Sequence, residues 1–165
     1  MGGWLFYALR ETSDEKLAAF ANRFIERVIN AYRWDLWAAA VVIIGGCSDD
    51  AFTDFCYWLI SMGRNVYDRT MDDVESLSDV AFQAETDVPQ NEEFGSVASL
   101  LVAKRTVEID AMLLPVNWPD SPSGEPWEER DLPKLLPRLI SAKIATRARA
   151  GIGEAEGESW GPVNY

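Results

Sequence analysis

The segment Trp34–Ile44 constrains this chain most, because Asp35 is its only charged residue and apolar side chains occupy every side. A helix that is apolar all round must be buried all round, so other helices have to surround it. The β-branched residues within 40–44 also suit a strand. The alanines before them favour a helix, and Gly45 with Gly46 ends it, as glycine does at helix C-termini. The segment therefore predicts the central helix of an all-α fold.

Further helices are expected on both sides of this segment. Thr12 and Glu15 form a capping-box pattern, which predicts that a helix begins there. Over about five turns its apolar residues recur at three- and four-residue steps, and they leave an opposite polar arc made of Arg23, Glu26, Arg27 and Asn30. Ser48 predicts the cap of another helix. Helical spacing also covers residues 4–9, 64–70 and 91–109.

The second half of the chain is less regular. Residues 72–90 are acidic and weakly periodic, which predicts a loop with one short helical piece. Six prolines within residues 115–137 exclude a long helix and predict an extended arm across the body. The Gly- and Glu-rich residues 151–165 are typical of a disordered tail. The expected organisation is a compact bundle of about five or six helices over residues 1–114, the arm over 115–137, a helix over 138–150 and the tail.

The charge of the chain is strongly acidic and unevenly distributed. The net charge is −12, and residues 71–131 alone contain 15 acidic and 3 basic side chains. A surface this acidic repels phosphate backbones, so we expect no nucleic-acid binding by direct phosphate contact. Basic residues without an acid between them follow in the C-terminal part, and they could dock on residues 71–131 of the same or of another copy: Lys134, Arg138, Lys143, Arg147 and Arg149.

Two scarce residue types exclude whole classes of chemistry. Histidine is absent and cysteine occurs twice. This excludes His general bases, Ser–His and Cys–His nucleophile pairs and His metal ligands, and it leaves too few cysteines for a zinc site or a disulfide scaffold. No apolar run is long enough to span a bilayer, and the N-terminus lacks a secretory pattern. We therefore expect a cytoplasmic protein that does not bind a membrane.

Several motifs in the first half of the chain occur together in one bacterial family. They are Trp-Asp-Leu-Trp at residues 34–37, Gly-Gly-Cys-Ser-Asp-Asp at 45–50, Trp-Leu-Ile at 58–60 and Gly-Arg at 63–64. With these motifs, the chain resembles the bacterial domain-of-unknown-function family 4240. The resemblance implies a cytoplasmic protein with a mostly helical fold, and it implies no activity.

Cys47 is the first candidate for a catalytic residue, because it precedes a predicted helix N-terminus, which can lower the pKa of a thiol. Asp49 and Asp50 oppose this effect, since nearby carboxylates disfavour a thiolate. With no histidine as base, a nucleophilic Cys47 would need an activator such as Arg64 or Arg33. The alternative is a small buried residue in a tight turn, which is a common role for a free cysteine.

Asp49, Asp50 and Asp54 are candidate ligands for a divalent metal, because they are close in sequence and carboxylate oxygens suit Mg²⁺ or Ca²⁺. The alternative is that the first two stabilise a helix start and the third is solvated. No cofactor is otherwise predicted. A helix end has about half a unit of positive charge, which two carboxylates outweigh. The turn at Gly45 and Gly46 is therefore not expected to bind phosphate, and any ligand that it does have should be a cation or a neutral polar group.

Aromatic residues around this turn could line a pocket for a flat ligand, together with Trp118 and Trp127 of the arm. More often such residues form part of the hydrophobic core.

Asp35 is expected to pair with Arg33 or Arg64, and a buried acid with one partner is also typical of active sites. The candidate ligand-binding residues are Trp34, Trp37, Gly45, Gly46, Asp54, Tyr57 and Trp58.

Three functions remain open on the sequence. The first is a small binding or regulatory module for a protein or small-molecule partner, with its pocket near residues 34–54 and the arm. The second is an enzyme that uses Cys47, Asp49, Asp50 and Arg64. The third is an acidic inhibitor or nucleic-acid mimic, which would require the acids of residues 71–131 to share one exposed face. The first is favoured, because it needs no catalytic motif.

Overall fold

The computed structural model describes residues 2–82, 91–105 and 107–149. Within these ranges the chain forms helices and short 3-10 turns and no strand, so the fold is all-α as the sequence predicts. The predicted tail and residues 83–90 lie outside the described residues. The helices are α1 (Gly2–Arg10), α2 (Asp14–Ala31), α3 (Trp34–Ile44), α4 (Asp49–Ser61), α5 (Arg64–Asp72), α6 (Glu92–Val102), α7 (Val107–Asp110), α8 (Leu132–Leu135) and α9 (Pro137–Arg149).

Helix α3 is the central helix that its composition predicts. Its residues from Leu36 to Ile43 are all buried. Helices α4 and α9 and a 3-10 turn at Val74–Asp79 pack around it. Gly45 ends the helix in the left-handed conformation, at a φ of 92°, and its N–H donates to the carbonyl of Val41. The apolar composition of α3 therefore determines where the core lies.

No single helix in the described ranges is long and apolar enough to cross a bilayer. Helices α3 and α4 are long and apolar enough only when the two are counted together. They meet at an angle of 95°, and the match is one of length and composition alone.

Helix α2 is amphipathic, and its apolar face joins the core through Leu17, Phe24 and Val28 among others. Its start differs from the predicted capping box, because the N-cap is Ser13 and not Thr12. The Thr12 hydroxyl instead donates to the carbonyl of Leu9 at 2.7 Å, which ties it to the end of α1. Thr12, which the sequence pattern assigns to the N-cap of α2, therefore belongs to the turn between α1 and α2.

The predicted single helix over residues 91–109 is wrong, because α6 ends at Val102 and α7 begins at Val107. Arg105 lies in the break. Its guanidinium donates to the Asp14 carboxylate and to the carbonyls of Arg10 and Thr12, all within 3.1 Å. These bonds to the α1–α2 junction hold the chain in a turn that helical periodicity alone does not reveal.

The proline-rich arm crosses the N-terminal end of α3. Ser123 forms an isolated parallel bridge with Arg33, in which the N–H of Trp34 donates to the carbonyl of Ser123 at 3.0 Å. The Trp127 indole N–H donates to the carbonyl of Trp34 at 2.6 Å. The last part of the arm is helical rather than extended, since a 3-10 turn at Glu129–Asp131 leads into α8. The arm thus fixes the chain beside Arg33 and Asp35.

Helix α9 docks on the acidic part of the same chain. The Arg138 guanidinium pairs with Asp73 and Glu75, and the backbone N–H groups of Arg138 and Leu139 donate to the Glu75 carboxylate at 2.7 and 3.1 Å. Glu75 therefore caps the start of α9. For Arg138, this is the intramolecular form of the docking that is one of two alternatives for the basic C-terminal residues, the other being a solvated basic helix.

Candidate functional site

The turn formed by residues 45–50, named the glycine turn, bonds the polar groups of Cys47 and Ser48 within the chain. The Trp37 indole N–H donates to the carbonyl of Cys47 at 3.2 Å. The Ser48 hydroxyl accepts a hydrogen bond from the N–H of Ala51 at 3.3 Å, so Ser48 caps α4 as predicted. A Cβ added at Gly45 would lie 3.7 Å from the Nζ of Lys143 in α9. The glycine turn therefore links α3 to α4 and lies beside α9.

Cys47 of the glycine turn is buried, and its environment opposes a thiolate. Burial, followed by the charge of Asp49, raises the pKa of the Cys47 thiol to about 12. Its Sγ lies 3.6 Å from the carbonyl of Ser48, a sulfur donor contact. Burial also raises the pKa of Cys56. Both thiols are thus protonated at neutral pH, which favours the structural interpretation of Cys47 over the nucleophilic one.

The three candidate metal ligands do not come together as a metal site. No group of three Asp, Glu, Cys or His side chains that could hold an ion occurs in the ranges the structure describes. Burial raises the pKa of Asp54, with smaller contributions from Glu92 and Asp50, so its spacing from Asp50 does have an electrostatic effect. The N–H of Asn91 donates to the carbonyl of Asp54, which places the start of α6 over this face of α4.

Three of the aromatic candidates pack in or against the core: Trp37 is buried, and Tyr57 and Trp58 are partly buried. Trp37 stacks on Phe52 with ring centroids 4.6 Å apart, and it is 2% exposed. Tyr57 lies beneath Gly95 of α6, where an added Cβ would be 2.2 Å from its ring. Trp58 packs against Phe55 at 5.4 Å. The structure thus places Trp37 and Tyr57 at contacts between helices, whereas the contact of Trp58 with Phe55 lies within α4.

Asp35 pairs with Arg33, one of its two predicted partners. The Arg33 guanidinium forms a two-pronged contact with the Asp35 carboxylate and donates from Nη1 to the carbonyl of Met71 at 2.8 Å. Arg64, the other candidate, pairs instead with Asp68 within α5. The structure therefore does not join Arg64 to Cys47 or Asp35, as the enzymatic alternative would need.

A chamber of about 270 Å³ lies where the arm meets Arg33 and Asp35. The sequence predicts a pocket in this neighbourhood, but the predicted Trp37, Asp54 and Trp58 do not line it. Its lining comes from the residues around the bridge and from the end of the arm, including Ser123, Trp127 and Leu136.

The larger polar opening lies elsewhere, between α2 and α5. It has a volume of about 650 Å³, which falls in the range of small-ligand sites. We call it the polar cleft. Its lining comprises Arg23, Glu26, Arg27, Asn30, Arg33, Tyr67, Asp68, Met71 and Asp72.

Two guanidinium groups in the polar cleft are held in fixed positions. Arg27 lies over the Tyr67 ring at 4.6 Å and contacts Asp68 at 3.3 Å, while the Tyr67 hydroxyl donates to the carbonyl of Arg27 at 2.7 Å. Arg33 is held by Asp35 and the carbonyl of Met71. The two arginine side chains are only 26% and 27% exposed, so little conformational entropy remains to be lost on binding.

Other charged groups of the polar cleft have no partner. Arg23, Glu26 and Asp72 form no hydrogen bond or ion pair with any residue that the structure describes. Hydrogen bonds from Arg64 and Arg27 lower the pKa of Asp68, and burial raises the pKa of Tyr67 to about 12. Asp68 therefore remains ionised and Tyr67 remains protonated at neutral pH.

The polar arc of α2 is the sequence signal that corresponds to this cleft. Arg23, Glu26, Arg27 and Asn30 recur at three- and four-residue steps, and this spacing alone predicts no more than the polar face of a helix. What the pattern lacks is the position of α5, whose Tyr67 and Asp68 lie about forty residues further along the chain. Periodicity shows a polar face, and only tertiary packing shows a cleft.

The chain belongs to a protein family of unknown function, DUF4240, whose model matches residues 3–104. All residues that line the polar cleft fall within this matched range, whereas the arm and α9 follow it. No curated protein and no solved structure matches the chain.

Proposed function

We propose that this protein is a binding module that holds a small polar ligand in the polar cleft. The observation that carries the proposal is the fixed guanidinium of Arg27, which lies on the Tyr67 ring and makes one ion pair, to Asp68. A guanidinium has five N–H donors. Most of those of Arg27 are unused by the described residues, and they lie in an opening large enough for a ligand.

The charges of the cleft favour a small molecule over a nucleic acid. Its three arginines are balanced by the carboxylates of Glu26, Asp68 and Asp72. A nucleic-acid surface needs an excess of positive charge, because each phosphate that is contacted must be neutralised. This cleft has no such excess, and the chain around it has a net charge of −12.

The ionisation of the cleft favours binding over acid–base catalysis. A general acid or base works best when its pKa lies near the working pH. The pKa of Asp68 is lowered and that of Tyr67 is raised to about 12, so both move away from neutrality. These two groups hold Arg27 in place and do not exchange protons at neutral pH.

The proposal is tested with a library of small polar compounds, scored by the melting temperature of the protein. A ligand that binds only the folded state raises this temperature by mass action. Arg27→Lys retains the charge but loses the planar fork that lies on Tyr67. We expect compounds that stabilise the wild type to lose their effect in Arg27→Lys.

Arg64→Ala is the matched control. Arg64 also pairs with Asp68, but it lies outside the cleft lining. The control should therefore bind every compound that the wild type binds. Compounds that stabilise wild type and Arg27→Lys equally, or no stabilising compound at all, would contradict the proposal.

A further inference from the structure

The polar cleft contains unpartnered charges of both signs. Arg23 on α2 has no partner, and neither do Glu26 on α2 and Asp72 at the end of α5, among the described residues. All three line the same opening. We propose that the ligand of the polar cleft is a small zwitterion, a molecule with a carboxylate at one end and an ammonium group at the other. This inference rests on the proposed function.

The carboxylate end fits Arg23 and Arg27. They are four residues apart on α2, so their side chains extend from the same face of the helix. A guanidinium binds a carboxylate through two parallel N–H groups, which gives geometric selectivity as well as charge. Arg27 is already oriented by the Tyr67 ring, and Arg23 makes no ion pair with a described residue that a ligand would have to displace.

The ammonium end fits Glu26 and Asp72. Asp72 is the last residue of α5, where the negative end of the helix adds to the attraction for a cation. The carbonyl of Met71 and the Asp68 carboxylate are already engaged by Arg33, Arg27 and Arg64. Glu26 and Asp72 are therefore the acids of the cleft that remain for a ligand.

The same arrangement disfavours singly charged ligands. A simple carboxylate on Arg23 would also face the repulsion of Glu26 and Asp72, and a simple amine on Asp72 would face that of Arg23. Like charges brought together without a partner lower affinity for the wrong ligand, which is a means of selectivity. Only a ligand with both charges is matched at both ends.

The experiment compares matched compounds of three lengths by NMR titration of backbone amide shifts. The zwitterions are glycine, γ-aminobutyrate and ε-aminohexanoate. The acids are acetate, butyrate and hexanoate, and the amines are methylammonium, butylammonium and hexylammonium. We expect at least one zwitterion to bind about tenfold more tightly than its acid and its amine, with shifts on α2 and α5. Arg23→Gln should reduce its affinity to that of the amine, and Asp72→Asn to that of the acid.

The outcomes separate this inference from the proposed function. If an acid alone binds as tightly as its zwitterion and shifts amides of α2 and α5, the zwitterion is excluded while the binding cleft stands. If none of the nine compounds shifts these amides, the zwitterion is again excluded. The melting-temperature screen of the compound library then tests whether the cleft binds a ligand at all. An apolar groove of about 660 Å³ adjoins the polar cleft and shares Glu26 and Asn30 with it. Shifts at Leu113, Leu114 and Val116 of this groove, with α5 unchanged, would show binding through the alkyl chain and would also overturn the inference.

Discussion

The glycine turn and the polar cleft are both rich in polar residues but differ in how the fold uses them. In the glycine turn, the Cys47 carbonyl and the Ser48 hydroxyl bond within the chain. The exposed carboxylates of Asp49 and Asp50, which have no partner among the described residues, are charges of one sign. In the polar cleft, Arg23, Glu26 and Asp72 have no partner among the described residues. In the cleft, by contrast, folding brings groups of both signs without a described partner to one opening. Residue type and spacing alone do not show this.

The comparison makes opposite predictions for the two regions. Variants at the glycine turn and its neighbours should lower stability and leave ligand binding intact in the molecules that fold. Variants of the unpartnered charges in the cleft should weaken ligand binding and leave the stability of the fold unchanged.

The largest effect is expected for Trp37→Ala, because Trp37 is buried, stacks on Phe52 and bonds to the glycine turn. Removing an aromatic core side chain costs on the order of 3–5 kcal/mol. Urea unfolding should show this loss in the free energy of unfolding. Trp118→Ala is the matched control, since Trp118 is 53% exposed, and it should stay within about 0.5 kcal/mol of the wild type. Equal midpoints for the two variants would contradict a structural role for Trp37.

Gly95→Ala should have the next largest effect, since its Cβ would lie 2.2 Å from the Tyr57 ring. Overpacking of this kind costs about 1–3 kcal/mol. In a Tyr57→Leu background the clash is relieved, so the double variant should lose less stability than the two single variants together. Simple additivity in denaturant unfolding would show that Tyr57 and Gly95 are not in contact, and would reopen Tyr57 as a ligand-binding residue.

A smaller effect follows from the raised pKa of Cys47. Above about pH 9, a thiol in the unfolded chain loses its proton, while Cys47 in the folded chain keeps it until about pH 12. The unfolded state then binds fewer protons, so the free energy of unfolding falls as the pH rises, by at most about 1.4 kcal/mol per pH unit for each such thiol. Cys47→Ala should reduce this slope between pH 9 and 10.

The same pKa predicts slow modification of Cys47 by a thiol reagent at neutral pH, well behind an unstructured thiol. Rapid modification, together with a pH slope that is unchanged in Cys47→Ala, would show a lowered pKa and support the nucleophilic alternative.

The smallest effect on stability is expected for Arg23→Ala. Arg23 is exposed and has no partner among the described residues, so the free energy of unfolding should change by less than about 0.5 kcal/mol. Binding of any compound that depends on the cleft should nevertheless weaken. A variant that loses stability without losing binding would reverse the comparison between the two regions.

The parts of the fold that the sequence predicts are those decided locally. The apolar composition of α3 fixes its burial, Gly45 ends it, and Ser48 caps α4. The parts it misses are decided by distant contacts. The break after α6 depends on Arg105 reaching Asp14, and the helical end of the arm depends on Leu132 being buried in the core. Neither contact is visible in the spacing of neighbouring residues.

The same distinction explains the outcome for the candidate site. The pairing of Asp35 with Arg33 is local, and it is one of the two pairings that the sequence leaves open. The polar cleft needs the polar arc of α2 and the face of α5 that contains Tyr67 and Asp68 to meet. The acids of residues 71–131 likewise depend on the fold, since Asp73 and Glu75 are engaged by Arg138 and Asp79 by Arg69. Part of the acidic section thus serves intramolecular contacts.

The most direct test is to map, by backbone amide NMR shifts, where the stabilising compounds of the polar library bind. The polar cleft predicts shifts on α2 from Arg23 onward, at Arg33 and on α5 from Tyr67 to Asp72, with the glycine turn unchanged. Shifts that centre on residues 45–50 and leave α2 and α5 unchanged would contradict the assignment of the cleft as the binding site.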